Sequence, residues 1–125
     1  MIADTNFVSE LFKERRAARV GVATRFFNRH RAHTIRLSII TAGEILVWFE
    51  SSAAGVEVLK PWTIYPLHLG IVETAADIDR ALIATGQRLG ENDNWIAGFA
   101  RYYQEPVVSR DTAFDRAPGV RRVAY

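Results

Sequence analysis

The sequence predicts an α/β fold of three layers, in which a mostly parallel central sheet is sandwiched by helices. Two observations carry that expectation. Short apolar runs rich in β-branched residues, at 35–40, 106–109 and 120–125, alternate with longer segments whose apolar residues recur at helical spacing. The intervening lengths also allow the right-handed crossovers that join parallel neighbours, with helices then covering both faces.

Taken in order, "MIA" at 1–3 is a short apolar strand, and Phe7, Val8, Leu11 and Phe12 mark a first helix. Val20, Ala23, Phe26 and Phe27 mark a second. "IRLSII" at 35–40 reads as a strand, and a helix follows from Thr41, where Thr41 and Glu44 have the T-x-x-E spacing of a capping box. "TIYPL" at 63–67 is a weaker strand signal. Ile71, Ala75, Ile78, Leu82 and Leu89 then follow helical spacing, interrupted at Gly86 and bounded by Gly90. "NDNWIAGFARYY" reads as another helix, "PVVS" at 106–109 as a short buried strand, "TAFD" as a turn and "VRRVAY" at 120–125 as a terminal strand. There is no internal repeat, low-complexity tract or linker, so residues 1–125 are expected to form a single domain.

Composition narrows the function classes. At 125 residues with 49% hydrophobic content the chain can bury a core. It has no cysteine, which excludes a disulfide framework and a thiolate zinc site. It shows neither a secretory leader nor an apolar stretch of the roughly 20 residues a membrane span needs, so a cytoplasmic protein without a membrane partner is expected. The net charge of +2 is unevenly placed. Lys13 to Arg36 holds eight of the sixteen basic residues against one acid, Glu14, whereas Leu37 to Asn94 holds eight acids and three bases. The basic segment reads either as a solvated helix face or as a phosphate-binding patch.

The acids suggest chemistry. Asp4 follows "MIA", Glu44 lies just past "LSII", Asp111 follows "VVSR", and Asp93 stands in the first turn of its helix. Three of the four therefore lie beyond the carboxyl ends of strands, the edge at which open α/β sheets bind ligands. Each has a local alternative: Asp4 can cap a helix, Glu44 can close the capping box, Asp93 suits a helix dipole and Asp111 can cap the turn. Gathered at one edge, however, carboxylates repel one another and raise each other's pKa unless a cation is present. An oxygen-only donor set selects Mg²⁺ or Mn²⁺ over zinc, and His30, His33 and His68 show no ligand spacing with these acids. Such a site beside a basic segment points to phosphodiester hydrolysis, with Asp4 and Asp93 as primary metal ligands and Glu44 and Asp111 completing the site. No Gly-rich phosphate loop and no G-x-S-x-G elbow is present.

At these residues the chain resembles the PIN-domain family, and within it the VapC-type toxins of type II toxin–antitoxin modules. The resemblance rests on "ADTN", "SIITAGEIL", "NDNWIAGFA" and "VVSRDTAFDRAPGVRRV" in that order. It implies a PIN-like α/β/α fold, Mg²⁺-dependent endoribonuclease activity on structured RNA such as tRNA or rRNA, and Mg²⁺ binding by Asp4, Glu44, Asp93 and Asp111. Asn6 and Ser109 match small polar residues that support the acidic cluster. Asp115, a fifth acid, reads as solvent-facing, with a metal-binding role as the alternative. The resemblance further implies a toxin homodimer and a VapB-like antitoxin that lays a helix over the first two helices and inserts a basic side chain among the acids. Phe7, Leu11, Phe26 and Phe27 would furnish its groove, unless they are core. The rival readings are a PIN-like DNA nuclease and a non-catalytic module whose acids only receive a partner's basic residues. A response-regulator-like domain is disfavoured because neither Lys13 nor Lys60 ends a late strand.

Overall fold

The computed structural model describes residues 1–30 and 34–125. Residues 31–33, and with them the expectations for Arg31 and His33, lie outside that description. The elements run β1 (Ile2–Ala3), α1 (Thr5–Arg16), α2 (Val22–Arg29), β2 (Leu37–Ser38), α3 (Ile39–Leu46), α4 (Ser52–Leu59), β3 (Ile64–Tyr65), α5 (Leu69–Ala84), α6 (Glu91–Tyr103), β4 (Val107–Val108), a 3₁₀ turn (Thr112–Arg116) and β5 (Arg122–Val123).

Every strand pair is parallel: β1 with β4, β4 with β5, and β2 with β3. A parallel bridge between Ile2 and Arg36 joins the two parts, so the strands lie in the order β3, β2, β1, β4, β5. The chain winds outward from β1 in both directions, which puts the topological switch point between β1 and β4. The first strand is short, yet it is hydrogen-bonded on both edges. The Ile2 amide donates to the Pro106 carbonyl at 2.9 Å, the Ala3 amide to Arg36 at 2.9 Å, and the Asp4 amide to Val108 at 3.2 Å. A central position thus compensates for length, and the chain leaves β1 at a fixed point.

Alternation along the strands separates two cores. Ile2 and Val107 join Ile71, Ile78, Ile96 and Phe99 on the α5/α6 face. Ala3 and Val108 join Phe7, Val8, Leu11, Leu37 and Ile45 on the face covered by α1 to α4. This is the α/β/α sandwich expected. On the first of these faces α5 and α6 approach closely at Gly98, where a Cβ would lie 2.7 Å from that of Ala75.

The structure moves several boundaries. Only Leu37–Ser38 of the 35–40 run is strand, because Ser38 caps the next helix by accepting from the Thr41 amide at 3.0 Å. Ile39 and Ile40 are therefore helical despite their β-branching, and Thr41 and Glu44 form no capping box. That helix ends at Leu46, and a separate α4, not among the elements expected from the sequence, follows, capped by Ser51. Val20 is 63% exposed and precedes α2. Leu89 is buried but lies beyond α5, which stops at Ala84 ahead of Gly86, where φ is +67°.

Glu14, the lone acid of the basic segment, is 1% exposed and caps α2 from α1. Its carboxylate accepts from the amides of Gly21, Ala23 and Thr24 at 3.2, 3.2 and 2.8 Å. Burial alone would raise its pKa, but these bonds hold it below the usual value. Its stabilising effect is therefore present above the unfolded-state value and lost as pH falls through the depressed folded one. Glu14→Ala should leave three amide donors without their acceptor, one of them buried, and cost about 2 kcal/mol, a fall of about 7 °C in a thermal melt at neutral pH. An unchanged melting temperature would contradict this role.

Candidate active site

Asp4 emerges from the carboxyl end of β1 and caps α1. Its Oδ1 accepts from the Phe7 amide at 2.7 Å, and its Oδ2 accepts from the Ser109 hydroxyl at 2.5 Å. The cap is thus Asp4 itself rather than Thr5 or Asn6. It is 3% exposed, and burial is the main force raising its pKa; the Ser109 and Phe7 hydrogen bonds oppose this, while the charges of Asp93 and Asp111 add to it. Ser109, fully buried at the end of β4, also accepts from the Asp111 amide at 2.9 Å. One hydroxyl therefore ties together the chain as it leaves β1 and the chain as it leaves β4, across the switch point.

Glu44 reaches the same edge from α3. Its carboxylate is held by the Thr5 hydroxyl and by the Asn92 amide group, the latter at 2.8 Å. Asp93, half-buried in the first turn of α6, makes no side-chain hydrogen bond among the described residues. Burial raises its pKa most, followed by the charges of Asp111 and Glu44. Asp111 is exposed and caps the 3₁₀ turn through the Ala113 amide at 2.8 Å. Asp4 thus feels the charges of Asp93 and Asp111, and Asp93 those of Asp111 and Glu44. Asp93 alone among them keeps both oxygens uncommitted.

The supporting residues differ in placement. Ser109 binds Asp4 directly, whereas Asn6 is exposed and makes no side-chain hydrogen bond among the described residues. Thr5 and Asn92, which orient Glu44, were missed; they stand beside the acids in "ADTN" and "NDN", but nothing in the spacing marks them as Glu44 partners. Tyr125 was also missed. Its ring packs on Phe7 at 4.8 Å, and burial together with the Asp4 charge pushes its phenol up to about 12. Asp115 is turned to Arg122, which forks onto both its oxygens at 3.0 and 2.8 Å.

Among the described residues no group of three His, Cys, Asp or Glu side chains is drawn together closely enough to close on a metal ion. The donor chemistry nevertheless suits one. Burial first, and then neighbouring carboxylates, raises the pKa of Asp4 and of Asp93. A hard divalent cation would relieve that repulsion.

The basic segment lies elsewhere. Lys13, Arg15 and Arg16 occupy the far end of α1, about 14–18 Å along the helix axis from Asp4 at 1.5 Å per residue. Arg36 sits at the entry end of β2 and pairs with Glu105 at 2.9 Å. Phe7, Leu11 and Phe26 are core, so they line no groove. An aromatic groove does exist beside them, with a volume of about 710 Å³, lined by Phe12, Phe27, Trp48, Phe49, Trp62 and Arg15 among others. Among the described residues no helix is long and apolar enough to cross a membrane.

Comparison with known proteins places this geometry. The PIN-domain family model matches residues 1–120. No curated protein matches the chain. A chain of VapBC2 from Rickettsia felis, crystallised with a DNA fragment from its promoter, superposes with a TM-score of 0.81 at 16% identity, covering 99% of this chain and 97% of that one. A chain of DNA-bound VapBC from Salmonella typhimurium gives 0.79 at 21% identity, covering 98% and 96%. A chain of a toxin–antitoxin complex from Klebsiella pneumoniae gives 0.69 at 22% identity, covering 95% and 93%.

Proposed function

The chain belongs to the PIN-domain family, and from that premise we propose that it is a Mg²⁺-dependent endoribonuclease, the VapC-type toxin of a type II toxin–antitoxin module acting in the cytoplasm. The observation that carries this reading is the placement of Asp4, Glu44, Asp93 and Asp111 at one sheet edge, where burial first and then acidic neighbours raise the pKa of Asp4 and of Asp93. In this reading Asp93 and Asp4 hold Mg²⁺ (Mn²⁺ would serve), and Glu44 and Asp111 complete its surroundings.

The bound ion supplies Lewis acidity toward the scissile phosphodiester and lowers the pKa of water. The chain's own residues do the positioning. The Phe7 amide and Ser109 hydroxyl fix the Asp4 carboxylate, so it cannot swing away as charge builds up. Thr5 and Asn92 do the same for Glu44. Because Asp4 and Asp93 bind protons more tightly than a free carboxylate of pKa 3.8, protons compete with Mg²⁺ from a higher pH. Cleavage should therefore decline with falling pH sooner than 3.8 would suggest, and raised Mg²⁺ should push the decline back down; a profile insensitive to Mg²⁺ would contradict this coupling.

A VapB-like antitoxin is the proposed protein partner. The structural neighbours come from toxin–antitoxin complexes, and the aromatic groove between α1, α2 and α4 suits the apolar face of a helix. A homodimer is proposed for the toxin. Side-by-side digestion of structured RNA and single-stranded DNA tests the substrate. Mg²⁺-dependent cleavage confined to RNA is expected; cleavage confined to DNA would overturn the reading in favour of a DNA nuclease.

A further inference from the structure

A site made of carboxylates repels the polyanion that a ribonuclease must admit, so a cation at its rim is needed to hold the substrate backbone. Lys13, Arg15 and Arg16 are a helix length away. Arg122 is at the rim but committed, forked onto Asp115 and donating to the Ser109 carbonyl at 3.3 Å. Arg110 differs. It lies between Ser109 and Asp111 in the chain, its guanidinium sits 4.4 Å over the Tyr125 ring, and its Nε is 3.4 Å from the Tyr125 carbonyl. It meets Glu10 through a single nitrogen at 2.9 Å and is 49% exposed. The Tyr125 ring is itself fixed against Phe7, in the turn that Asp4 caps.

We propose that Arg110, seated on the Tyr125 ring, exchanges Glu10 for an RNA phosphate and holds the substrate backbone beside the carboxylate site. This rests on the ribonuclease reading above. A guanidinium stacked on an aromatic face keeps its plane fixed while presenting a fork that matches a phosphate, which a flexible ammonium cannot do. A half-exposed pair made through one nitrogen is also weak enough to exchange. Glu10 is then the resting counter-ion, and Tyr125 is a positioning residue.

The test is binding of a fluorescent ten-nucleotide single-stranded RNA to full-length protein carrying Asp93→Asn to prevent cleavage. Arg110→Ala should weaken binding about tenfold and reduce the slope of log K against log salt by about 0.7, the value for one phosphate contact on a single strand. Arg110→Lys should keep the slope and recover only part of the affinity. Glu10→Gln, which removes the competing anion and leaves the arginine, should tighten binding about twofold. Tyr125→Leu should weaken binding about threefold, whereas Tyr125→Phe, which retains the ring and loses only the hydroxyl's bond to Glu10, should stay within about twofold of the original affinity. In the cleavage-competent protein Arg110→Ala should raise KM and leave kcat near its original value.

An unchanged affinity and slope for Arg110→Ala would overturn the proposal. So would Glu10→Gln weakening binding as much as Arg110→Ala does, which marks the pair as structural scaffolding. Arg110-dependent binding by a protein that never cuts RNA would support this inference while overturning the ribonuclease reading. Cleavage with no dependence of KM or salt slope on Arg110 would do the reverse.

Discussion

Replacing Asp93 by Asn is expected to lower Mg²⁺-dependent RNA cleavage at least about a hundredfold, while the metal-free protein melts at a higher temperature than the wild type. The two effects have one cause. Asp93 is half-buried among like charges and makes no side-chain hydrogen bond among the described residues, so its folded pKa is raised by burial first and then by Asp111 and Glu44. A carboxyl raised in the fold stabilises it fully below the unfolded value, and that contribution is lost as pH rises through the folded one. At neutral pH the charge therefore opposes the metal-free fold, and the neutral isostere relieves that repulsion. The same charge is what a cation would use, and a catalytic metal supplies several kcal/mol of transition-state charge stabilisation, at 1.36 kcal/mol per tenfold in rate, which is lost when the ion is no longer held. Cleavage kinetics and a thermal melt in EDTA check both halves. A melting temperature that fell along with activity would mean that Asp93 is structural.

Asp4 should show the opposite pairing of effects, and two substitutions separate its roles. Asp4→Asn and Asp4→Ala should both lose cleavage to a similar extent as Asp93→Asn. Only Asp4→Ala should unfold markedly earlier, by about 1–2 kcal/mol, because it removes the cap on α1 and leaves the buried Ser109 hydroxyl without its acceptor. For a chain of this size that is a fall of roughly 3–8 °C. Asp4→Asn keeps an oxygen for the Phe7 amide and removes a charge that burial disfavours, which offsets the acceptor lost to Ser109, so its melt stays close to that of the wild type. Equal melting temperatures for the two variants would show that the cap contributes nothing, and retained cleavage in Asp4→Asn would remove Asp4 from the site.

The contrast between these two acids shows what the sequence made legible. Position relative to strand ends was readable: "MIA" before Asp4 and "VVSR" before Asp111 fixed both at the carboxyl edge, and parallel pairing does place them together. The period of the apolar residues identified α1, α2 and α5, because each buries a face in the core. Hydrogen-bond partners across the fold were not readable. Ser109 binds Asp4 from 105 residues away, and Asn92 binds Glu44 from 48 residues away, distances at which no local pattern operates. The segment from Ile39 to Leu59 misled for a local reason. Ser38 outcompeted Thr41 as the helix cap, so two isoleucines that read as strand became the first turn of α3. Glu44, freed from the capping box, was left to face the site.

The basic segment illustrates how a charge run can be read too directly. Glu14 looked like the single acid interrupting a cationic stretch, yet it is the most buried charge there and organises α2. Of its basic neighbours, Lys13, Arg15 and Arg16 stand in the last turn of α1, away from the carboxylates, and Arg25 and Arg29 are exposed on α2. Contacts they make with RNA would fall on phosphates distant from the cut, so they should affect overall affinity and not the choice of bond.

Four carboxylates at one sheet edge are proposed to make a metal-dependent ribonuclease. Mapping RNA 5′ ends after incubating total RNA with the purified protein, in Mg²⁺ and in EDTA, with Asp93→Asn alongside, tests it most directly. Discrete cuts in one tRNA or rRNA that appear only with Mg²⁺ and only with Asp93 intact are the expected result. The same cuts in EDTA, or undiminished in Asp93→Asn, would contradict it.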